Sequence, residues 1–274
     1  MKMRKFAVAL VAIAAIYGTL KLTPGFVAKP HAVAALNWHN IAHRGGPGLA
    51  PEHTLLAYNT ALQNGANALE IDVHSTSDNQ LILMHDDDVD RTTNGTGPIR
   101  SYTLAQLQAL DAGKGEQVPT LEQLFSAHPD VPYVIELKQS SPSIAQPVCD
   151  AILKHQLEGQ VIVGAFTTEP LAQFRAACPG VATGMSQNEV ISFLVLQKIG
   201  LSHWHWVDAQ AMQLPMASAG ITILTPSFVS AAQNNGLLVQ AWTINETEQI
   251  KTVTALGVDG IISDYPNRVS ALSQ

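Results

Sequence analysis

Chargeable side chains stand at the ends of successive apolar runs in this sequence. They form the patterns His43-Arg44-Gly45-Gly46, Glu70-Ile71-Asp72, His85-Asp86 and Glu136-Leu137-Lys138. One carboxylate or one histidine alone would be uninformative. When successive strands each end in a chargeable residue, however, these residues can converge on one site. Two histidines, three carboxylates, an arginine and a lysine are together typical of a metal-dependent phosphodiester site. The sequence therefore predicts phosphodiester chemistry.

The carboxylates are spaced so that they can share one face of a strand. Glu70 and Asp72 lie two residues apart, and Glu136 and Lys138 repeat that spacing on another apolar run. Because successive side chains on a strand point to opposite faces, each pair can project inward together. Three converging carboxylates would repel one another, and a divalent ion that prefers oxygen ligands, Ca²⁺ or Mg²⁺, would relieve the repulsion. The alternative is that a glutamate only pairs with Lys138 or Arg44 inside a filled barrel.

The two histidines and the arginine suit the other needs of phosphodiester cleavage. That reaction requires a base for the attacking oxygen and an acid for the departing alkoxide, and histidine titrates near neutral pH. His43 and His85 each follow a predicted strand, so the pair can supply both groups. The planar donors of Arg44 suit phosphate oxygens. Alternatively, a histidine at a strand end is a structural residue, and Arg44 forms an ion pair with a nearby carboxylate.

Predicted strands alternate with predicted helices along most of the chain. The strands are Asn40–His43, Ala68–Val73, Leu81–Met84, Val131–Leu137, Val161–Phe166, Val181–Met185, Trp206–Met212, Leu237–Ile244 and Gly260–Ser263. About eight βα steps in roughly 235 residues favour an α/β protein with a single (β/α)8 TIM barrel over an open sheet. No Gly-rich nucleotide-binding loop supports the open alternative. In a TIM barrel the C-terminal ends of the strands carry the catalytic residues, and we expect both histidines there.

The first 39 residues differ in character from the rest. Basic residues at positions 2, 4 and 5 precede an apolar run from Phe6 to Leu20, and a stretch rich in Pro, Gly and Ala follows. This pattern is typical of an export signal or a membrane anchor. We expect residues 6–22 to anchor the protein, with a cleaved signal or a buried cytoplasmic helix as alternatives. The barrel domain, residues 40–274, would then be extracytoplasmic, in the periplasm or at the cell surface.

The charge of the barrel region excludes one class of partner. The whole chain has a net charge of −7, but five of its 15 basic residues and none of its 22 acidic residues precede residue 40. The remaining 10 basic and 22 acidic residues give residues 40–274 a net charge of −12. Nucleic-acid binding depends on Lys and Arg that neutralise phosphates, so we expect a small-molecule substrate and no nucleic acid. A bound cation would be the natural means of handling its phosphate.

Two further features have simple interpretations. Asp86-Asp87-Asp88-Val89-Asp90 resembles the start of a calcium-binding loop, but Arg91 stands where such a loop needs Gly. We therefore expect a solvated acidic loop that caps the site.

Cys149 and Cys178 would be free to form a disulfide after export, but nothing in their spacing demands one. We expect two buried small apolar side chains, the usual state of free cysteine.

In order and spacing, the motifs of this sequence resemble those of the glycerophosphodiester phosphodiesterase family. The similarity runs from about Ile41 to Pro266. The motifs that carry it are His43-Arg44-Gly45, Pro51-Glu52-His53-Thr54, Glu70-Ile71-Asp72-Val73, His85-Asp86, Glu136-Leu137-Lys138, Trp242-Thr243-Ile244-Asn245 and Gly257-Val258-Asp259-Gly260-Ile261-Ile262-Ser263-Asp264-Tyr265-Pro266. Each fragment alone would be weak, but the ordered set is highly specific.

The resemblance implies a TIM barrel that hydrolyses glycerophosphodiesters to an alcohol and sn-glycerol 3-phosphate. The residues that it implies are an acid/base pair, His43 and His85; metal ligands, Glu70, Asp72 and Glu136; phosphate-binding residues, Arg44 and Lys138; and a residue lining the pocket near the glycerol, Trp242. The family usually has Asn where His53 stands and Thr where Ser263 stands. We expect the change at His53 to affect loop hydrogen bonding more than chemistry.

Three classes of function are consistent with these residues to different degrees. A glycerophosphodiesterase and a lysophospholipase D-like hydrolase of membrane lysophospholipids would share the same site, and a membrane anchor would favour the second. A long apolar groove beside the site would also favour the lipid. A non-catalytic binding barrel would have lost a histidine or a carboxylate, and none is lost here.

Overall fold

Strands and helices alternate along the chain in the computed structural model, which describes residues 2–206 and 208–272, with side chains from residue 12 onward. The strands of these residues are β1 (Asn40–Ala42), β2 (Ala68–Ser75), β3 (Leu81–Leu83), β4 (Tyr133–Leu137), β5 (Val161–Gly164), β6 (Ala182–Thr183), β7 (Ala211–Leu214), β8 (Ala217–Ser218), β9 (Ile221–Thr222), β10 (Leu238–Ala241) and β11 (Gly260–Ser263). The α-helices are α1 (Lys2–Leu22), α2 (Leu55–Gln63), α3 (Leu104–Gln108), α4 (Leu121–Ala127), α5 (Ala145–Lys154), α6 (Thr168–Ala177), α7 (Gln187–Lys198), α8 (Pro226–Asn234), α9 (Thr247–Ala255) and α10 (Pro266–Leu272).

Eight of these strands run parallel and form the barrel. Their order around the sheet is β6, β5, β4, β2, β1, β11, β10 and β7. The two ends of the sheet, β6 and β7, meet at a parallel bridge between Gly184 and Ala211, where the amide of Met185 also donates to the Ala211 carbonyl over 3.0 Å. The predicted α/β class is confirmed, and the fold is TIM-barrel-like with a nearly closed parallel sheet.

The third predicted strand does not belong to the barrel. β2 continues two residues past its pairing with β4, and β3 folds back antiparallel along this extension, with Val73 opposite Leu83. The amide of Met84 then donates to the Asp72 carbonyl over 3.1 Å. The expectation that His85 stands at the C-terminal end of a barrel strand is therefore wrong. Because β3 runs back antiparallel along β2, the residues that follow it, including His85, lie beside Asp72.

The region after α7 also differs from the prediction. β7 begins at Ala211 instead of Trp206, because Ser202–Trp204 form a 3-10 turn and Trp206 is 73% exposed, outside the sheet. The segment after β7 forms the antiparallel hairpin of β8 and β9. Its turn residues, Ala219 and Gly220, have φ values of 48° and 77°, as a tight two-residue hairpin requires.

The alternation of side chains along β2 separates the barrel interior from the helix layer. Leu69, Ile71 and Val73 pack in the apolar core that includes residues of α4 to α6, whereas Ala68 packs inside the barrel. Since neighbouring side chains on a strand point to opposite faces, Glu70 and Asp72 lie on the inner face. Buried charges are costly unless they are paired, so this pattern marks the interior end of β2 as a site.

Residues before Asn40 close the other end of the barrel. Val33 and Trp38 are buried and pack with Ile41, Ala68 and other inward-facing residues. The indole Nε1 of Trp38 donates to the Val33 carbonyl over 2.7 Å. The segment that leads into β1 therefore contributes to the core, and the domain division at residue 39 stays a prediction.

The N-terminal helix α1 contains the residues for which we predict an anchor. Its C-terminal part contacts the loop after α7, where the Tyr17 hydroxyl donates to the Ile199 carbonyl over 2.5 Å. Trp204 Nε1 donates to the Leu20 carbonyl over 2.8 Å. Across the described part of the chain, no helix combines the length and the apolar character needed to cross a membrane.

Cys149 and Cys178 form a disulfide, with their Cα atoms 5.7 Å apart. Cys149 lies on α5, and Cys178 follows the last residue of α6. The expectation of two free cysteines is therefore wrong. The two helices pack side by side on the outside of the barrel, and this brings together residues that are 29 positions apart, which their spacing alone could not reveal.

Replacing both cysteines by serine should lower the free energy of unfolding by about 2 to 4 kcal/mol, because the unfolded chain is no longer restrained by a closed loop. Denaturant unfolding of the Cys149→Ser/Cys178→Ser variant against the oxidised protein measures this loss. An unchanged unfolding midpoint, with thiol titration showing bonded cysteines in the starting protein, would contradict a stabilising role.

Candidate active site

All of the site residues predicted from the sequence line one cavity of about 570 Å³ at the C-terminal ends of the barrel strands. They are His43, Arg44, Glu70, Asp72, His85, Glu136, Lys138 and Trp242. Their convergence agrees with the prediction. The chemical role of each residue stays a prediction.

The turn after β1 places Arg44 against the acidic strand. Arg44 has a φ of 50°, a conformation that is uncommon for residues with a side chain and is found at functional sites. Gly45 follows with a φ of 80°, and a Cβ there would lie only 2.9 Å from the Cβ of Ala57. Glycine is thus required at this position. The turn directs the Arg44 amide at Glu70, and it donates to Oε2 over 2.8 Å.

The pairing of β2 with β4 brings the three predicted metal ligands together. Asp72 lies directly opposite Glu136 across the two strands, and Glu70 lies two residues before Asp72. Carboxylate oxygens of these three residues all lie within 4.8 Å of one another. Glu70 and Asp72 are only 6% and 1% exposed. The barrel therefore holds three carboxylates close together at the edge of the cavity, two of them buried and Glu136 half-buried.

Lys138 neutralises only part of this charge. Its Nζ lies 3.0 Å from Glu136 Oε1 and 3.1 Å from Asp72 Oδ1. Asp72 Oδ1 is buried and nevertheless receives no well-directed hydrogen bond. Arg44 Nε also lies 3.5 Å from Asp72 Oδ2. Even with both cations, three converging carboxylates leave an excess of oxygen acceptors, which fits a divalent cation that takes oxygen ligands better than it fits ion pairing alone. The residues present therefore fit Ca²⁺ or Mg²⁺.

The pKa values of the two carboxylates of β2 are shifted in opposite directions. Burial, together with the charge of Asp72, raises the pKa of Glu70 to about 8. Burial alone would also raise the pKa of Asp72, but a hydrogen bond from His53 and the ammonium of Lys138 hold it well below its usual range. Without a metal ion, Asp72 is thus charged at neutral pH and Glu70 is mostly protonated.

His53 lies beside the acidic cluster, although we expect it from the sequence to affect loop hydrogen bonding more than chemistry. The side chain is buried, and its Nε2 donates to Asp72 Oδ2 over 2.9 Å. Its Nδ1 accepts from the Tyr58 hydroxyl over 2.7 Å. Burial lowers the pKa of His53, so the ring is neutral and this direction of hydrogen bonds suits it. His53 thereby fixes the orientation of a predicted metal ligand.

Each predicted catalytic histidine is held by an aspartate. His43 Nδ1 lies 2.6 Å from Asp264 Oδ1, and Asn245 Nδ2 donates to the other carboxylate oxygen over 2.6 Å. Burial would lower the pKa of His43, but the hydrogen bond to Asp264 and the charges of Glu70 and Asp264 together outweigh it and raise the pKa above its ordinary value. With Nδ1 engaged in this way, Nε2 is the nitrogen left for proton transfer.

The second imidazole has the same arrangement with an additional clamp. His85 Nδ1 lies 2.7 Å from Asp86 Oδ1. Arg91 Nε donates to Asp86 Oδ2 over 2.6 Å, and its two terminal nitrogens donate to the Glu52 carboxylate over 2.8 and 2.7 Å. The hydrogen bond from Arg91 lowers the pKa of Asp86. Asp86 therefore belongs to the site, whereas the sequence predicts it to be part of a solvated acidic loop.

Four residues of this supporting layer orient an imidazole directly or through one partner, and the sequence patterns do not predict that function for any of them. They are Asp86, Arg91, Asn245 and Asp264. The one local signal was that Asp86 immediately follows His85. Asp264 is 221 residues from His43, so only the closure of the barrel between β1 and β11 brings them together.

Comparison with known proteins places this arrangement in a family. Residues 43–268 match the model of the glycerophosphoryl diester phosphodiesterase family. The chain belongs to this family. Glycerophosphodiester phosphodiesterases of Caldanaerobacter subterraneus and Bacillus subtilis are 31% and 30% identical to it, over 82% and 83% of this chain and 93% and 83% of theirs. The chain is thus an enzyme of the glycerophosphodiester phosphodiesterase class.

A solved structure from the same family carries a product. It is an Oleispira antarctica phosphodiesterase in complex with sn-glycerol-3-phosphate, 27% identical, with a TM-score of 0.72 over 89% of this chain and 100% of that one. A glycerophosphodiester phosphodiesterase of Agrobacterium tumefaciens is 26% identical, with a TM-score of 0.71 over 85% and 99%. These similarities support a small-molecule glycerophosphodiester as the substrate.

The affinity of the acidic cluster for a divalent ion should rise with pH up to about pH 8. Glu70, with a pKa of about 8, carries a proton at neutral pH that it must lose to become a ligand, so affinity falls by up to about tenfold for each pH unit below that value. Calorimetric titration with Ca²⁺ at several pH values, with Glu70→Gln as the control, measures this. Equal affinity at pH 6 and pH 8 would contradict the assignment.

Loss of the Arg91 clamp should lower kcat by about 10- to 100-fold, because the outer partners of active groups usually contribute this much. KM should change little, since Arg91 does not line the cavity. Arg91→Lys should restore little of the rate, because a single ammonium cannot contact both Glu52 and Asp86 as the guanidinium does. Added guanidinium ion should rescue Arg91→Ala but not Arg91→Lys; an unchanged kcat in Arg91→Ala would show that the clamp is dispensable.

Proposed function

We propose that this enzyme hydrolyses glycerophosphodiesters to an alcohol and sn-glycerol 3-phosphate, using a divalent metal ion and two histidines. The observation that carries the proposal is the joint position of three carboxylates and two aspartate-held imidazoles around one cavity. A structural ion-pair network would not need both imidazoles with their Nδ1 atoms engaged and their Nε2 atoms left free.

Glu70, Asp72 and Glu136 would hold the metal ion, either Ca²⁺ or Mg²⁺, as these ligands suit both. When bound, the ion supplies positive charge to the phosphate and so favours nucleophilic attack. Arg44 would contact the same phosphate, since its guanidinium lies at the cavity beside Asp72, with Nε 3.5 Å from Oδ2. Lys138 is the second cation of the cavity and would contact another phosphate oxygen. Trp242 would border the glycerol.

The histidines would move the protons. One imidazole accepts the proton of the attacking oxygen, which belongs to water or to a glycerol hydroxyl of the substrate itself. The other donates a proton to the alkoxide as its bond to phosphorus breaks. Asp264 and Asp86 keep both rings oriented, and Asp264 stabilises the protonated form of His43. We assign this pair of functions to His43 and His85 jointly.

Extracytoplasmic location is part of the proposal. The basic and apolar N-terminal pattern supports export, and the disulfide between Cys149 and Cys178 is of the kind that persists in oxidising compartments. Retention of residues 6–22 as a membrane anchor, or their removal as part of a signal, would follow export. The N-terminal sequence of the protein isolated from cell fractions would distinguish the two.

The direct test is release of sn-glycerol 3-phosphate from glycerophosphocholine by the full chain. Activity should be lost with chelator and return with Ca²⁺ or Mg²⁺. His85→Ala should reduce turnover by at least about 100-fold with the fold intact, the usual worth of acid/base catalysis. His128→Ala, at a histidine that does not line the cavity, is the matched control. Full activity in chelator, or near-normal turnover of His85→Ala, would overturn the proposed mechanism.

A further inference from the structure

A glutamine stands opposite the acidic strand inside the barrel. The eight parallel strands follow one another around the sheet, and β7 is the fourth strand from β2 in either direction. Gln213 lies on β7 and lines the active-site cavity together with Glu70 and Asp72 of β2. Because Ala211 packs inside the barrel and Met212 packs with the outer helices, the alternation along β7 directs Gln213 inward.

A second glutamine holds the carboxamide of Gln213. Gln240 is its direct neighbour on β10 and is completely buried. Gln213 Nε2 donates to Gln240 Oε1 over 2.8 Å. The remaining carboxamide atom, Gln213 Oε1, accepts no hydrogen bond from the described residues. A side chain that is held in this way, with an acceptor left over at a cavity, is arranged to receive a donor from a ligand.

Two glycines leave room for this carboxamide. A Cβ at Gly184 would lie 2.4 Å from Gln213 Oε1, and one at Gly164 would lie 3.7 Å from it. Gly164 is the neighbour of Glu136 across β4 and β5, so the oxygen of Gln213 lies one strand away from a predicted metal ligand. The long side chain thus reaches from β7 past β6 towards the acidic cluster.

The chemistry of this side of the cavity limits what can bind there. The described residues that line it on β7 and directly after these two strands are uncharged: Gln213, Leu214, Pro215, Trp242 and Thr243. An amide oxygen accepts from a hydroxyl, but it receives no hydrogen bond from a choline ammonium, which has no N–H, or from a phosphate oxygen. The head group differs from one glycerophosphodiester to another, whereas the glycerol is common to all. The donor that every such substrate brings is therefore a glycerol hydroxyl.

We propose that Gln213 determines the specificity for glycerol, because its Oε1 accepts a hydrogen bond from the terminal hydroxyl of the substrate's glycerol. The inference rests on the proposed function, since the phosphate must lie at Arg44 and the acidic cluster for the glycerol to reach across the barrel. The hydroxyl on the middle carbon adjoins the phosphate-bearing carbon and stays near the acidic cluster. The terminal hydroxyl is one carbon further from phosphorus and reaches the β7 side. Gln240 positions Gln213 for this contact.

Two glutamines near β7 provide a matched pair for the test. Gln213 lines the cavity, whereas Gln210 does not, and Gln210 Oε1 accepts from the amide of Thr183 over 2.9 Å. Replacing either by Met removes a carboxamide and keeps the length of the side chain. The two variants and the starting protein are assayed on the phosphocholine diesters of glycerol, of propane-1,2-diol linked through its primary oxygen, and of propane-1,3-diol. The second diester lacks the terminal hydroxyl, and the third lacks the middle one.

The readout is the ratio of kcat/KM between two diesters, which does not depend on the fraction of folded enzyme. For the starting protein, kcat/KM on the glycerol diester should be at least about tenfold higher than on the propane-1,2-diol diester, which leaves the amide oxygen unpaired. In Gln213→Met this ratio should fall to about one, whereas Gln210→Met should keep the ratio of the starting protein. The ratio of the glycerol to the propane-1,3-diol diester should be the same in Gln213→Met as in the starting protein.

A second variant displaces the carboxamide without removing it. The methyl group of Gly184→Ala would occupy the position of Gln213 Oε1, so the side chain must move away from it. This variant should therefore also lower the ratio of the glycerol to the propane-1,2-diol diester.

The outcomes separate the two levels of inference. Equal kcat/KM of the starting protein on the glycerol and propane-1,2-diol diesters would overturn the inference and leave the proposed function intact. An unchanged ratio in Gln213→Met, or an equal loss in Gln210→Met, would have the same meaning. A loss confined to the propane-1,3-diol comparison would overturn the assignment to the terminal hydroxyl. Failure to hydrolyse any diester in the presence of Ca²⁺ or Mg²⁺ would overturn the proposed function, and the inference would fall with it.

Discussion

The mutual repulsion of three converging carboxylates, two of them buried and one half-buried, is the constraint around which this site is organised. Strand pairing fixes Asp72 beside Glu136, and the two-residue period of β2 adds Glu70 on the same face. The chain cannot relax this repulsion by moving one of them, because each lies on a strand of the nearly closed sheet. The repulsion is reduced instead by Lys138, by the hydrogen bond from His53 to Asp72 and by the raised pKa of Glu70, which favours its neutral form. A divalent ion bound by all three carboxylates would neutralise their charge directly.

Around this centre, most polar groups are oriented by a second partner. His53 lies between Tyr58 and Asp72, and Arg91 lies between Glu52 and Asp86. These contacts connect the turn after β1 with the loop after β3, which are the two segments that carry His43-Arg44 and His85-Asp86. The active site is thus built on rigid strands but completed by two loops that support each other.

Much of this could be predicted from the sequence, and the exceptions have physical causes. The alternation of Glu70, Ile71, Asp72 and Val73 specifies which side chains face inward, because that pattern is local. The direction of β3 was not predictable in this way, since Leu81–Leu83 have the same apolar character whether they join the barrel or fold back on β2. The contact between His43 and Asp264 and the disulfide depend on closure and on helix packing, which a single sequence does not show. Arg91 has no local signal apart from its place in the incomplete calcium-loop pattern, because its contact with Glu52 depends on the tertiary fold.

The central claim is that these carboxylates hold one divalent ion next to the phosphate. Crystals of the full chain grown with Ca²⁺ and sn-glycerol 3-phosphate, with anomalous scattering recorded for calcium, test it most directly. We expect a single anomalous peak about 2.3 to 2.6 Å from oxygens of Glu70, Asp72 and Glu136. A phosphate oxygen of the product should lie next to this ion and contact Arg44. A product bound with no peak among these oxygens, and Lys138 still bridging Asp72 and Glu136, would contradict it.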